Sequence, residues 1–144
     1  MMFVMRKLIF LLSALLLCAG CDKNEGEPLD MAAQTRINNQ FLGLWQEVDH
    51  PSSQCTYRGF HSNFKYTSFT LMLYSGDKIP STYDGKPYHF EKGPECSKGT
   101  VYTLVVNGKK VSLVCKYKGL LYSWNVGTNP ETWVGDPKYA YERN

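Results

Sequence analysis

The residue types best suited to metal binding or nucleophilic attack are few: five cysteines (Cys18, Cys21, Cys55, Cys96, Cys115) and three histidines (His50, His61, His89). After Gly43, His50, Cys55 and His61 stand nearest one another, with Asp49 beside them. They show no Cys-x-x-Cys or His-x-x-x-His spacing of the kind strong zinc sites carry. Cys55 and His61 are six residues apart, which places them at strand ends rather than side by side. No Gly-x-Ser-x-Gly turn and no phosphate-cradling glycine loop is present, and the carboxylates are scattered rather than paired. These histidines read as polar loop residues, and the expectation is a non-enzymatic protein with no metal and no cofactor.

Cys18 and Cys21 belong to a different setting. Arg6 and Lys7 form a short positive region, and Leu8 to Leu17 (LIFLLSALLL) is an apolar run of ten residues. A membrane-spanning helix needs about 20 such residues, so this run reads as the apolar region of a secretory signal. Ala19, Gly20 and Cys21 follow. Small, small, Cys after such a run resembles the lipobox of bacterial lipoproteins. Cys18 lacks the two small residues before it, and it stands where that family most often has Leu. The resemblance implies cleavage after residue 20 and a thioether-linked diacylglycerol, usually with an added acyl chain such as palmitate, on Cys21. Two or three chains hold a protein on a membrane stably where one does not. It implies a location in the bacterial cell envelope, facing the periplasm. Asp22 resembles the inner-membrane retention signal of enteric-type lipoproteins, with the outer membrane as the alternative.

Removing residues 1–20 takes Lys plus Arg from 16 to 14 and leaves all 13 acids, for a net charge of +1. That is no signature of nucleic-acid binding. Cys21 to Asp30 (CDKNEGEPLD) holds four acids and one Lys and reads as a polar tether. Residues 21–35 are assigned to the lipidated cysteine and tether, and 36–144 to one β domain. Asp30 is also placed to N-cap a short helix through MAAQTRINNQ. Three thiols, Cys55, Cys96 and Cys115, then remain in an oxidising compartment, which predicts one disulfide and one spare thiol.

Beyond Gly43, short runs rich in Tyr, Phe, Val and Thr are separated by Gly, Pro, Asn and Asp. Strands are expected near Leu44–Asp49, Cys55–Phe60, Tyr66–Tyr74, Pro87–Glu91, Val101–Val106, Lys110–Lys118, Leu121–Val126 and Tyr139–Arg143. About eight short strands predict a mainly β fold, a small antiparallel barrel or sandwich with a short N-terminal helix. Asn107-Gly108 favours a two-residue type I′ hairpin, and Lys118-Gly119 suggests a second. The first hairpin sets Leu104 opposite Val111 and Tyr102 opposite Leu113, with Cys115 facing Thr100. Cys96 then lies four residues, about 13 Å, further along an extended chain, too far for a disulfide to Cys115 unless the chain folds back. Cys55 is therefore the favoured partner, with Cys55–Cys96 slightly ahead of Cys55–Cys115.

Phe41 to Val48 reads FLGLWQEV. Gly43-x-Trp45 in a first strand after a short helical turn resembles the opening motif of lipocalins and of small lipocalin-like lipoproteins. The resemblance implies a Trp closing one end of a barrel and an Arg from the last strand packed over it, here Arg143 in KYAYERN. It also implies a carrier of a small apolar ligand.

Eighteen of the 20 aromatic residues lie after residue 20, more than a domain of this size can bury fully. Tyr57, Tyr66, Tyr74, Tyr83, Tyr88 and Tyr122 stand in or beside loops with basic neighbours, a composition suited to contact surfaces. The leading expectation is a binding module for a protein partner in the periplasm, as inhibitor and immunity lipoproteins are. The alternatives are the lipocalin-like carrier and a structural or assembly factor of the envelope. An eight-stranded barrel this rich in aromatics is expected to fill itself. The lipobox reading has a direct test. Cys21→Ser should move the chain from the membrane fraction to the soluble fraction of cells and abolish incorporation of labelled palmitate; a chain that stays membrane-bound and labelled would place the lipid elsewhere.

Overall fold

Residues 29–80 and 85–144 are described by the structure, a computed structural model. The expectations for the leader, Cys21, Asp22, the tether up to Pro28 and Tyr83 lie outside these residues. Helix α1 spans Met31–Phe41, and the Asp30 carboxylate accepts from the Ala33 N–H at 2.8 Å. That bond satisfies one of the free donors of the first turn. Gln34 is buried, so residues 31–35 belong to the body rather than to the tether to which the sequence assigned them.

Eight strands follow: β1 (Gly43–Glu47), β2 (Gln54–Phe60), β3 (Lys65–Met72), β4 (Lys86–Lys92), β5 (Val101–Val106), β6 (Lys109–Tyr117), β7 (Leu120–Trp124) and β8 (Ala140–Arg143). Their ends lie within two residues of the expected ones. Each strand pairs antiparallel with the next, and β8 pairs with β1 to close the barrel. Closure removes the sheet edges that invite aggregation. Asn107 and Gly108 have φ of 51° and 75°, and Lys118 and Gly119 have 50° and 81°. Positive φ at both central residues is the type I′ geometry whose twist matches the strands it joins.

One register differs from expectation. A shift between Leu104 and Val105 sets Leu104 opposite Ser112, Tyr102 opposite Val114 and Val101 opposite Cys115. Ser112 and Val114 therefore face the barrel interior, while Leu113 and Cys115 face outward. The outward face is not solvent. The segment after β7 runs through two short 3-10 turns and packs Trp133 and Val134 against Val101, Leu113, Cys115, Tyr122 and Ala140. With apolar residues wanted on both faces of β6, alternation could not show which face is inside.

The interior core joins Ile37 and Phe41 of α1 to Trp45, Phe60, Phe90, Leu104, Val114 and Leu121. Helix α1 closes this end. Its attachment answers a gap in the sheet: β3 and β4 pair only at Lys65–Pro87 and Tyr66–Lys86. Further along β4, the Gln34 side-chain amide donates to the Phe90 carbonyl at 2.6 Å and accepts from the Phe90 N–H at 2.8 Å. The amide thus takes the place of a neighbouring strand. Asn38, also buried, accepts from the Tyr88 hydroxyl and donates to the His61 carbonyl at 3.1 Å. Gln34→Leu would leave a buried backbone N–H and C=O unpaired, which costs about 1–3 kcal/mol each. The expected result is a lower urea midpoint with an unchanged m-value; an unchanged midpoint would show that the amide does not stand in for a strand.

Candidate functional site

Trp45 is fully buried, its indole N–H donating to the Phe41 carbonyl at 2.8 Å. Arg143, directly opposite in β8, lays its guanidinium 4.3 Å from the centre of the Trp45 ring. The same guanidinium donates to the carbonyls of Leu42 and, at 3.1 Å, Gln40, so it also caps the C-terminus of α1. Gly43 holds φ at +119°, and a Cβ there would come 3.2 Å from Arg143 Nη1. Gly43, Trp45 and Arg143 are thus structural residues of the closed end.

The candidate site borders the same core, with Arg58 paired directly across from Trp45 in the β1–β2 ladder. The rings of Phe41, Phe60, Tyr88, Phe90 and Tyr102 pack at centroid separations of 5.5 to 6.3 Å and fill the closed half. Towards the mouth the inward side chains become polar. β3 runs six residues past its pairing with β4, and there a cleft of about 370 Å³ opens, lined by Arg58, Tyr66, Thr67, Ser68, Lys86, Val106 and Val111. Arg58 is the central group. It shares a face of β2 with Phe60, so the alternation that buries Phe60 also carries the guanidinium inward. Its Nη1 donates to the Tyr66 hydroxyl at 3.1 Å, and its guanidinium lies 5.0 Å from the centre of the Tyr141 ring. Its Nε is buried with no hydrogen-bond partner, as are the hydroxyls of Ser112 and Ser123. Burial works against the Arg58 charge, but the phenols of Tyr66 and Tyr141 more than compensate, and its pKa is raised. The side chain is a permanent cation.

The expected contact surface is redrawn. Tyr57, Tyr66, Tyr88 and Tyr122 are all buried, while Tyr74 is 74 % exposed. Tyr57 stacks on Phe69, and Tyr66 and Tyr88 enter the barrel core. Tyr122 packs under Trp133. Barrel closure and the external 125–139 segment make more buried surface than a chain of this length suggested. The histidines do not converge. His50 is exposed, His89 is 3.3 Å from Glu91, and His61 sits at the end of β2 with its pKa lowered by burial. Among the described residues no three His, Cys, Asp or Glu side chains are placed to hold a metal.

All three described cysteines are free thiols. Cys55 packs with Tyr57 and Leu71 outside β2 and β3, whereas Cys96 joins the cluster around Cys115 outside β6. The barrel separates the two sets, which overturns the preference for Cys55–Cys96. The fold of the 93–100 loop, which turns Cys96 back onto the cluster around Cys115, is the cause. That loop is held to the 125–139 segment by Glu131, which accepts from the Ser97 N–H and hydroxyl, and by Lys98, which donates to the Val134 carbonyl at 2.7 Å.

Comparison with family models, with curated proteins and with solved structures found no match for this chain. The functional reading therefore rests on the site. Sequence reasoning missed Arg58, Ser112, Ser123 and Trp133. A signal for Arg58 was present, since Thr56, Arg58 and Phe60 alternate on one face and put a charge among apolar neighbours.

The thiols provide a test of this geometry. Burial, with the neighbouring Cys96 thiol second, pushes Cys115 up to about 11 from an ordinary 9.0. The folded state keeps the proton that the unfolded state gives up, so this contribution to stability is full below pH 9 and is lost as pH rises to about 11. Cys115→Ala should make the fall in stability over that window shallower, as read from urea midpoints. Disulfide mapping after mild oxidation should recover a Cys96–Cys115 peptide with Cys55 reduced; a Cys55–Cys96 peptide would reinstate the pairing favoured by sequence.

Proposed function

We propose that this chain is a non-enzymatic binding protein of the bacterial envelope, tethered through Cys21, whose barrel takes a small ligand into its open mouth. The observation that carries the reading is a polar cleft beside the packed interior. Aromatic rings pack much of the barrel. Next to them opens a cleft lined by the Arg58 side chain, the Tyr66 phenol and Lys86. Clefts that hold small ligands are concave and partly apolar, with a few placed polar groups, and this one has that composition.

The lipocalin-like carrier named from Gly43, Trp45 and Arg143 agrees with this reading in architecture. It differs in ligand, since rings already occupy the space a long apolar ligand would need. The protein-partner reading rested on exposed tyrosines, and of the described candidates Tyr74 alone is exposed. An assembly role in the envelope has no feature of its own in the fold.

Native mass spectrometry of the full chain, extracted from membranes in mild detergent, tests the proposal. Extra mass beyond protein and lipid anchor, released on collisional activation, is the expected result. A stoichiometric second polypeptide in place of a small molecule would return the argument to a protein partner.

A further inference from the structure

The mouth of the barrel has a charge pattern that narrows the chemistry of its ligand. Among the described residues, the lining of the cleft carries two cations, Arg58 and Lys86, and no acid. The ion pairs recorded among the described residues are His89–Glu91 and Lys110–Glu91, and Arg58 takes part in neither. A guanidinium drawn into a protein interior without a carboxylate is expensive, because lost hydration is not replaced by an opposite charge. Here it is held by a phenol oxygen and a ring face, which orient it without neutralising it.

From this geometry we infer that the cleft is a receptor for a small organic anion. The acid group sits against Arg58 and the apolar body rests on Val106 and Val111. The inference rests on the small-ligand reading above and adds the class of ligand. Tyr66 strengthens it. Its oxygen accepts from Arg58 Nη1, so its own O–H remains a donor. Arg58, the Tyr66 hydroxyl and Lys86 at the exposed rim are all donors, and an oxyanion has only acceptors. The Ser68 hydroxyl is a fourth group on the same wall.

Size limits the rest of the molecule. A cleft of about 370 Å³ lies at the small end of ligand sites, and the ring-filled half blocks deeper entry. The ligand is therefore compact, with one acid group and a short apolar body. Carboxylate and phosphate share this chemistry, and the test separates them.

The experiment uses the full chain in mild detergent, titrated by calorimetry against a detergent blank. The probes are naphthalene-1-carboxylate, its neutral isostere naphthalene-1-carboxamide, and 1-naphthyl phosphate. The acids should bind at least tenfold tighter than the amide. Arg58→Met should bring the acids down to the level of the amide and leave the amide unchanged. Tyr66→Phe and Lys86→Met should each weaken the acids several-fold, and Lys86 is exposed enough that its replacement leaves folding intact. Tighter binding of the phosphate assigns a phosphorylated ligand, and tighter binding of the carboxylate a carboxylic acid; either supports the receptor. Equal binding of acid and amide, insensitive to both Arg58→Met and Lys86→Met, overturns the acid-group assignment and leaves the small-ligand reading standing. No binding of any probe, together with a bare mass in the native spectrum, removes both.

Discussion

The clasp made by Arg143 is the contact on which the rest of the barrel depends. One guanidinium covers the Trp45 ring and donates to the carbonyls at the end of α1. A cation over an indole contributes about 0.5–2 kcal/mol, and charged hydrogen bonds to exposed helix carbonyls add to it. The larger consequence is geometric. Arg143 stands at the end of β8 and Trp45 in β1, so the clasp fixes the strand pair that turns an open sheet into a barrel. It also fixes where α1 ends, and hence where Gln34 and Asn38 meet β4 and the end of β2. Gly43 is part of the same constraint, because any side chain there would press on the guanidinium.

With one end closed in this way, the barrel has two unlike halves. The closed half solves its packing with rings, which bury large apolar areas and set one another's orientation. Beside the rings, the interior keeps a guanidinium, a phenol and two serines where apolar side chains would fit. Apolar replacements of such groups are often neutral or stabilising. Proteins break the rules of core composition mainly where function requires it. Among the described residues, inward polar groups of this kind stand on β2, β3, β6 and β7.

Much of the fold was legible. Turn chemistry located both hairpins, because Asn107-Gly108 favours the positive φ of a type I′ turn and Lys118-Gly119 marks a turn between two strand-like runs. Strand positions followed from clusters of β-branched and aromatic residues, and Asp30 marked the helix start. What escaped was whatever depended on a second layer of packing. The 125–139 segment has little secondary structure and no periodicity, yet it supplies Trp133 and Val134 to an outer core. That cover made β6 apolar on both faces and hid its bulge. The same outer layer draws the 93–100 loop back so that Cys96 meets the cluster around Cys115, which the extended-chain distance did not anticipate. The tyrosines failed for a related reason. Composition counts aromatics, but how many can be buried depends on closure and on outer layers, which composition does not contain.

Arg58 was hidden by neither effect. It occupies an inward position of a correctly placed strand, beside Phe60, and the alternation that identified the strand also implied a buried charge. A cation on an apolar face has three ordinary resolutions: an internal carboxylate, a route for the head group back to water, or a ligand. No ion pair to a described carboxylate is present; Nε is enclosed, and the side chain lines the cleft. The cleft beside it, whose described lining holds a second cation and no acid, favours a ligand as the group that balances the charge.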